Sequence, residues 1–175
     1  MLSVIIATDN RIGELEECLR SLFRQSVLPD EVIVAHGGSD KETEELIEKL
    51  SAGSGYKTHL RYYNFGLLGA ARQRNKGAEN ACGNILFFLD DDIVCEPDFI
   101  KTIIAIFDKD TNNEIGGVSG TIVNQTYTPL SKINKSFFDL CLGKGERSSA
   151  YAGRLVGPAV NFLPVDKPKT EQPVD

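Results

Sequence analysis

The sequence predicts an α/β fold in which a mostly parallel sheet lies between helices. Short apolar runs rich in Val and Ile alternate along the chain with segments whose apolar residues have helical spacing. Within the runs, apolar residues follow one another with few polar interruptions, which is typical of parallel strands covered on both faces. Polar or glycine-rich loops follow the runs, as strand–helix–strand units require.

The first part of the chain predicts two strands and two helices. Residues 2–7 and 31–35 are β-branched runs, and Pro29-Asp30 breaks the chain before the second one. Between them, residues 14–23 carry apolar side chains at helical spacing, namely Leu15, Cys18, Leu19, Leu22 and Phe23. The turn Gly37-Gly38-Ser39-Asp40 predicts the cap of a helix over 41–50.

The second part is regular as far as residue 107. Residues 58–63 and 84–89 predict strands, and the small-residue-rich segment between them predicts a helix over 69–82. A helix over 97–107 has proline at an early position, where it is tolerated. We also predict a glycine-containing strand over 114–123 and a helix over 132–142. Four of the seven prolines lie within 158–175, so we expect a domain over 1–157 and an extended, proline-rich tail over 158–175.

Composition narrows the class of protein. The net charge of −6 on 175 residues argues against general nucleic-acid binding and against electrostatic capture by anionic lipid. The four cysteines are widely spaced and predict buried, reduced side chains rather than a zinc site or a disulfide framework. We see no signal peptide and no apolar run long enough for a transmembrane segment, so we expect a cytoplasmic protein, or one peripheral to the membrane.

The most informative motif is Asp90-Asp91-Asp92, which directly follows the apolar run 85–89. Three adjacent carboxylates repel one another unless something positive compensates them. Oxygen ligands of this kind suit a divalent cation that also grips a diphosphate. The alternative is a helix N-terminal turn, in which Asp is favoured as a cap. Because Glu96-Pro97-Asp98 already provides that turn for the next helix, we favour the cation.

Polar loops follow each of the first four predicted strands. They are Thr8-Asp9-Asn10-Arg11, His36-Gly37-Gly38-Ser39-Asp40, Asn64-Phe65-Gly66 and the acid triplet. Parallel strands bring their carboxyl ends to one edge of the sheet, where ligands bind in open α/β folds. Any one of these loops could be ordinary surface polarity, but together they predict a site.

Two further features are compatible with that site. Arg72, Arg74 and Lys76 lie close together near the start of a predicted helix, where a nearby phosphate would offset their unfavourable position in the helix dipole. The alternative is a solvated basic face. His36 could be a metal ligand or a base, or only a polar loop residue. No G-x-G-x-x-G follows the first strand, which argues against an ordinary dinucleotide fold.

Over about residues 2–120, the pattern resembles the nucleotide-sugar-binding part of family 2 glycosyltransferases, which have the GT-A fold. The resemblance is carried by four motifs in order. These are the first strand with its turn, Ser3 to Arg11; the acidic entry to the second strand, Asp30-Glu31-Val32-Ile33-Val34; the family's Ala-Arg-Asn-x-Gly segment, here Gln73-Arg74-Asn75-Lys76-Gly77; and its Leu-Asp-x-Asp, here Leu89-Asp90-Asp91-Asp92.

The resemblance implies transfer of a sugar, with inversion, from a nucleoside diphosphate sugar to a hydroxyl of a glycan or lipid-linked sugar acceptor. Asp92 with Asp90 would bind Mg²⁺ or Mn²⁺, Asp90 would also lie against the ribose or sugar, Arg74 would lie near the nucleotide, and Thr8 would line the base pocket. The implied donor site comprises Thr8, Asn10, Arg11, Gly38, Ser39, Arg72, Arg74, Asp90 and Asp91.

The chain departs from the family pattern at two places. The family carries two acids after the second strand, the second of which reads the nucleobase, whereas this chain has His36 and Gly37. The family's general base lies in a Glu-Asp-like segment, but no Glu-Asp pair follows Asp92 here, and the isolated Asp139 and Glu146 are poor substitutes. We therefore leave the catalytic residue unassigned and expect a domain truncated at its carboxyl end that binds donor but transfers little sugar.

Two other classes of protein stay open from the sequence. One is a non-catalytic nucleotide-sugar-binding module, which the missing base and the altered base loop would suit. The other is a metal-dependent phosphotransfer enzyme, which needs an acid just after the first strand, where Asp9 lies. That reading leaves Arg74-Asn75-Lys76-Gly77 unexplained.

Overall fold

The computed structural model describes residues 1–53, 57–66, 69–124, 155–156 and 161–162. The chain divides into two units, Met1–Ala105 and Ile106–Asp175. In chain order, the elements are β1 (Leu2–Thr8), α1 (Ile12–Leu22), β2 (Glu31–His36), α2 (Glu42–Gly53), β3 (His59–Asn64), α3 (Ala70–Glu79), β4 (Ile85–Asp90), α4 (Phe99–Lys109), β5 (Leu155–Val156) and β6 (Asn161–Phe162).

The first unit contains a four-stranded sheet of order β3-β2-β1-β4, in which every neighbouring pair is parallel. Thr8 lies opposite His36, His36 opposite Asn64, and Ala7 opposite Asp90. The four strands therefore end almost level with one another. The predicted parallel sheet is confirmed, and the four polar loops do begin at one edge, which we call the carboxyl rim.

The core of this unit follows from the two-residue period of the strands. Val4, Ile6, Val32 and Val34 face one side of the sheet, where they belong to one buried cluster with apolar residues of the helices, including Leu15, Leu19, Leu22, Leu46, Ile47 and Ile100. Ile5 faces the other side, where Gly77 of α3 approaches it so closely that a Cβ on residue 77 would lie 2.5 Å from the Ile5 side chain. Helix α3 is thus fixed against β1 at short range.

One predicted element is wrong. Residues 114–123 are described and form no strand, and most of them are exposed. The backbone N–H groups of Glu114 and Ile115 donate to the Asp110 carboxylate, at 3.0 and 2.8 Å, instead of to a neighbouring strand. Glycines at 116, 117 and 120 weaken strand formation further, because they have no side chain to pack.

Cys82 is a second correction. We expected it to be buried within a helix, but α3 ends at Glu79 and Cys82 is exposed, whereas Cys18 and Cys95 are buried as expected. In the second unit, β5 and β6 pair antiparallel, with Leu155 opposite Phe162. The predicted helix over 132–142 lies outside the described residues, as does most of the tail, and the proposed boundary at 157 stays a prediction.

Candidate functional site

The acid triplet at the carboxyl rim divides into two kinds of carboxylate. Asp91 is buried, with 5% of its surface exposed. The side chains of Asp90 and Asp92 are 59% and 47% exposed. The family resemblance singled out Asp90 and Asp92 as the two acids of the motif and placed Asp91 in the donor site. The turn after β4 directs Asp91 inward and leaves the outer two acids available to solvent and ligands.

Asp91 ties two loops together. Thr8, the last residue of β1, donates from Oγ1 to Asp91 Oδ2 at 2.8 Å, and Arg11 Nη1 donates to Asp91 Oδ1 at 2.9 Å. Burial raises the pKa of Asp91, and the Thr8 bond and the Arg11 charge only partly offset this, so the pKa lies above its ordinary value. Asp91 and Thr8 therefore join the end of β1 to the loop after β4.

Arg11 bridges the buried acid and an exposed one. Its Nη2 donates to Asp92 Oδ2 at 3.2 Å and lies 3.7 Å from Glu14 Oε1. The hydrogen bond to Asp92 and the charge of Asp91 raise the pKa of Arg11. The preceding residue, Asn10, has a φ of 53°, a left-handed conformation that Asn tolerates better than most residues. This turn brings the guanidinium of Arg11 back over the acids.

The basic cluster of α3 does not act as one group. Arg74 pairs with Asp90 Oδ1, whereas Lys76 pairs with Glu79 of its own helix at 2.7 Å. Residues two apart on a helix point to opposite sides, so Arg74 is separated from Arg72 and Lys76. Arg72 is exposed and forms no ion pair with the described part of the chain. Of the three, Arg74 is the residue that reaches the acids.

A buried histidine at the end of β2 lies beside an aspartate of the following loop. His36 is fully buried, with Nδ1 2.9 Å from the Tyr62 hydroxyl. Its Nε2 lies 2.8 Å from Asp40 Oδ2, yet neither of these two buried atoms has an aligned hydrogen-bond partner. The other Asp40 oxygen caps α2 by accepting from the N–H and the hydroxyl of Thr43, at 2.8 and 2.6 Å.

Charge and burial act against each other at Asp40. Burial raises its pKa, but the hydrogen bonds from Thr43 and the nearby His36 outweigh this effect and leave the pKa lowered. Gly38 is buried beside this pair, and Ser39 is exposed at the rim. His36 is thus an interior residue at the end of β2 rather than a solvated loop residue.

Sequence reasoning missed Gln73. This α3 residue is buried, with 3% of its surface exposed, and its Nε2 donates to the main-chain carbonyls of Thr8 and Ala35 at 2.8 and 3.0 Å. It therefore joins α3 to the ends of both β1 and β2. The available signal was its position four residues before Gly77, on the face of α3 that meets the sheet.

The rim can supply only part of a metal site. Within the described ranges, no group of three or more His, Cys, Asp or Glu side chains is arranged to hold a metal ion. Asp90 and Asp92 nevertheless fit the way Mg²⁺ is commonly bound, by one or two carboxylates with substrate phosphates and water. A cation would therefore take two carboxylates from this chain and the rest of its ligands from a bound phosphate compound or water.

A parallel α/β sheet with exposed acids and arginines at its carboxyl rim fits the GT-A type of nucleotide-sugar transferase fold. Residues 3–153 match the family described as Glycosyl transferase family 2, and the chain belongs to that family. The family resemblance predicted from the sequence is confirmed.

Relatives and solved structures agree with this assignment. A glucosyl-dolichyl phosphate glucuronosyltransferase of Haloferax volcanii is 27% identical over 124 residues, which cover 70% of this chain and 38% of that protein. The structure of S. aureus TarS 1–349 in complex with UDP-GlcNAc is 26% identical with a TM-score of 0.55, over 71% of this chain and 37% of the solved one.

A mannosyltransferase from Pyrobaculum calidifontis, solved with GDP-Man and Mn²⁺, supports the fold alone. It is 22% identical with a TM-score of 0.57, over 69% of this chain and 35% of the solved one. The predicted GT-A fold is confirmed by these likenesses. The chain spans well under half of the length of each of these proteins.

Among the described residues, no helix is long and apolar enough to cross a membrane.

Proposed function

We propose that the carboxyl rim binds a nucleoside diphosphate sugar together with Mg²⁺ or Mn²⁺, and that the protein transfers the sugar to an acceptor hydroxyl with inversion. The observation that carries this proposal is the division of the acid triplet. Asp90 and Asp92 are exposed beside two arginines, whereas Asp91 accepts hydrogen bonds from within the protein. When bound, the cation would neutralise charge on the diphosphate leaving group.

Each rim residue has a role that its position supports. Asp90 and Asp92 would share the cation, and Arg74 and Arg11, which now pair with these acids, would lie beside the diphosphate. Arg72, which points away from the side of α3 that carries Arg74, would supply a further positive charge only at longer range. Thr8, Asn10, Gly38 and Ser39 would line the nucleoside end, where β1 and β2 finish, and Asp91 would position Thr8 and Arg11.

The reaction requires a bond from the acceptor oxygen to the anomeric carbon and loss of the nucleoside diphosphate from its other face. A base must take the acceptor proton, and it must lie within hydrogen-bond reach of that hydroxyl or one water away. We assign no base. Asp139 and Glu146, the isolated acids considered from the sequence, lie outside the described residues.

Substrates are proposed from chemistry shared with the relatives. TarS was solved with UDP-GlcNAc, and the Haloferax enzyme is named for a dolichyl phosphate-linked sugar. We propose a nucleoside diphosphate sugar as donor and a glycan or lipid-linked sugar as acceptor. The second candidate is a module that binds the donor without transferring its sugar. It is kept because none of the described carboxylates is assigned as the general base. Release of nucleoside diphosphate in the presence of acceptor separates these two functions.

The metal-dependent donor site is tested by thermal denaturation with UDP or GDP, with and without Mn²⁺. A ligand that binds only the folded state at a hundred times its Kd adds about 2.7 kcal/mol to the free energy of unfolding. We expect Asp92→Asn to remove the Mn²⁺-dependent rise in Tm, and exposed Glu48→Gln on α2 to retain it. An unchanged rise in Asp92→Asn would refute the metal role.

We also propose that the selectivity of this chain for the nucleobase differs from that of a family member with acids at the positions of His36 and Gly37. Calorimetric titration with the diphosphates of uridine, guanosine, thymidine and adenosine measures it. The neutral Gly37 and the buried His36 favour weak or shifted discrimination. An exclusive preference for uridine would show that another residue reads the base.

A further inference from the structure

Gln73 and Gly37 occupy the same small volume at the carboxyl rim. A Cβ built on Gly37 would lie 2.5 Å from Gln73 Nε2, 2.9 Å from its Cδ and 3.2 Å from its Oε1. Carbon atoms do not approach a neighbour that closely, so a side chain at 37 and the amide of Gln73 exclude each other in this arrangement. Gly37 lies outside the left-handed region that Gly66 and Gly69 occupy. Space, and not backbone conformation, is therefore what Gly37 provides.

The amide of Gln73 cannot move aside without loss. Both of its N–H groups are used, one on the carbonyl of Thr8 and one on that of Ala35. The Thr8 carbonyl also accepts from the N–H of Gly37 at 2.9 Å. Displacing the amide would leave a buried polar group without its partners, which is more costly than the net value of the bonds themselves.

These bonds fix three parts of the donor site relative to one another. Thr8 ends β1 two residues before Asn10 and three before Arg11, and Ala35 lies one residue before the end of β2. Gln73 lies on α3 between Arg72 and Arg74, and Arg74 reaches Asp90. A shift of Gln73 would therefore move the arginine of α3 relative to both loops and to the acids.

Both positions also differ from the family pattern to which the sequence shows a resemblance. Gln73 stands where the Ala-Arg-Asn-x-Gly segment has alanine, and Gly37 stands where the loop after β2 has its second acid. In sequence they are separate changes, but in the fold they touch. A larger residue at 73 fills the space that the smaller residue at 37 leaves.

We propose that Gln73 and Gly37 form a complementary pair in which Gln73 is a positioning residue of the donor site. Its amide takes the place of a side chain at 37 and aligns the ends of β1 and β2 with the helix that carries Arg72 and Arg74. The positioning role rests on the proposed donor binding, whereas the size complementarity does not.

The complementarity is tested by the stability of Gly37→Ala, Gln73→Ala and the double variant in urea denaturation. We expect Gly37→Ala to lower the denaturation midpoint when Gln73 is present, because the methyl group displaces the amide. In the Gln73→Ala background the same change should have little further effect, because the space is then free. Equal losses in both backgrounds would overturn the pairing.

The positioning role is tested by calorimetric titration of UDP and GDP in the presence of Mn²⁺. Gln73→Met keeps most of the volume but loses both donors, and we expect it to weaken binding of the preferred nucleotide by about tenfold or more. Thr58→Val is the matched control. It removes a buried side-chain bond to a main-chain carbonyl, Thr58 Oγ1 to Pro29 at 2.8 Å, at the other end of the sheet.

We expect Thr58→Val to lose stability while keeping wild-type affinity. If Gln73 had a purely structural role, Gln73→Met would show the same result. Wild-type affinity in folded Gln73→Met would overturn the positioning role. If the wild-type protein binds neither nucleotide with Mn²⁺, the proposed function and the positioning role both fail, and the stability comparison still decides the pairing. Weakened binding in Gln73→Met alone supports the proposal.

Discussion

The two ends of the parallel sheet carry acids in opposite situations. At the amino end, Glu31 is buried, and both of its oxygens are hydrogen-bonded. Oε1 accepts from Ser3 Oγ and from the N–H of Cys82, each at 2.6 Å, and Oε2 accepts from Arg61 Nη1 at 3.0 Å. At the carboxyl end, Asp90 and Asp92 are about half exposed, and their partners are arginine side chains that a ligand could displace.

The difference separates acids that are enclosed by hydrogen bonds within the fold from acids that are available to a ligand. A carboxylate enclosed by fixed donors, two of them on neighbouring strands and one on the backbone, stabilises the fold and has no capacity left for a ligand. Exposed carboxylates beside flexible guanidinium groups contribute little to stability, because solvent screens such pairs. Asp91 belongs to the enclosed acids, although its two neighbours in sequence are exposed.

Glu31→Gln should have the largest effect on stability. Removing the charge of a buried acid that three donors surround leaves some of those donors unsatisfied. We expect a loss of about 2–3 kcal/mol in the free energy of unfolding, measured by urea denaturation. Exposed Glu17→Gln should change it by less than about 0.5 kcal/mol. Nucleotide affinity of folded Glu31→Gln should stay unchanged, and a loss there would contradict the separation of the two ends.

The same variant should alter the acid sensitivity of the protein. Burial raises the pKa of Glu31, but the bonds from Ser3, Cys82 and Arg61 outweigh it and lower the pKa below the ordinary 4.5. The contribution of Glu31 to stability is therefore present above pH 4.5 and is lost as the pH falls through the lowered pKa. Glu31→Gln should make the midpoint of denaturation less dependent on pH below that value. An identical slope would contradict the assignment.

Asp91→Asn should have an intermediate effect. The carboxamide can still accept from Thr8, but it loses the ion pair with Arg11. Because burial already disfavours the charged form of Asp91, we expect a loss of only about 1 kcal/mol in the free energy of unfolding. Asp90→Asn, at an exposed site, should lower stability less than Asp91→Asn does and should lower nucleotide affinity more. The reverse order in urea denaturation and calorimetry would show that the triplet is not divided as described.

Substitution of the three basic side chains of α3 should change stability least. It should lower nucleotide affinity to different degrees. Arg74→Ala removes the pair with Asp90, Arg72→Ala removes an exposed charge, and Lys76→Ala removes only a pair within the helix. We expect affinity for UDP or GDP with Mn²⁺ to fall most for Arg74→Ala, less for Arg72→Ala and least for Lys76→Ala. Equal losses for all three would restore the basic cluster as a single group.

The sequence alone determined the order and type of the elements in residues 1–109, because the apolar periodicity of each segment is strong. It did not fix their ends, since α3 stops at Glu79 rather than at the predicted residue 82. It also identified the loops that share the carboxyl rim, since parallel connections leave no other arrangement. It failed at 114–123, where apolar residues between glycines looked like a strand. There, the Asp110 carboxylate binds the backbone donors that a strand would need.

Only the tertiary structure decided what individual side chains do. The burial of Asp91 between two exposed acids depends on a contact that is distant in sequence, because Thr8, about eighty residues earlier in the chain, donates its hydroxyl to Asp91. Arg11 contacts both Asp91 and Asp92. Likewise, Gln73 and Gly37 lie 36 residues apart, and the sequence does not show that the two positions are neighbours. A side chain at 37 and the amide of Gln73 exclude each other only because α3 packs against β1 and β2. In that packing the hydrogen bonds to Thr8 and Ala35 hold the Gln73 amide in place.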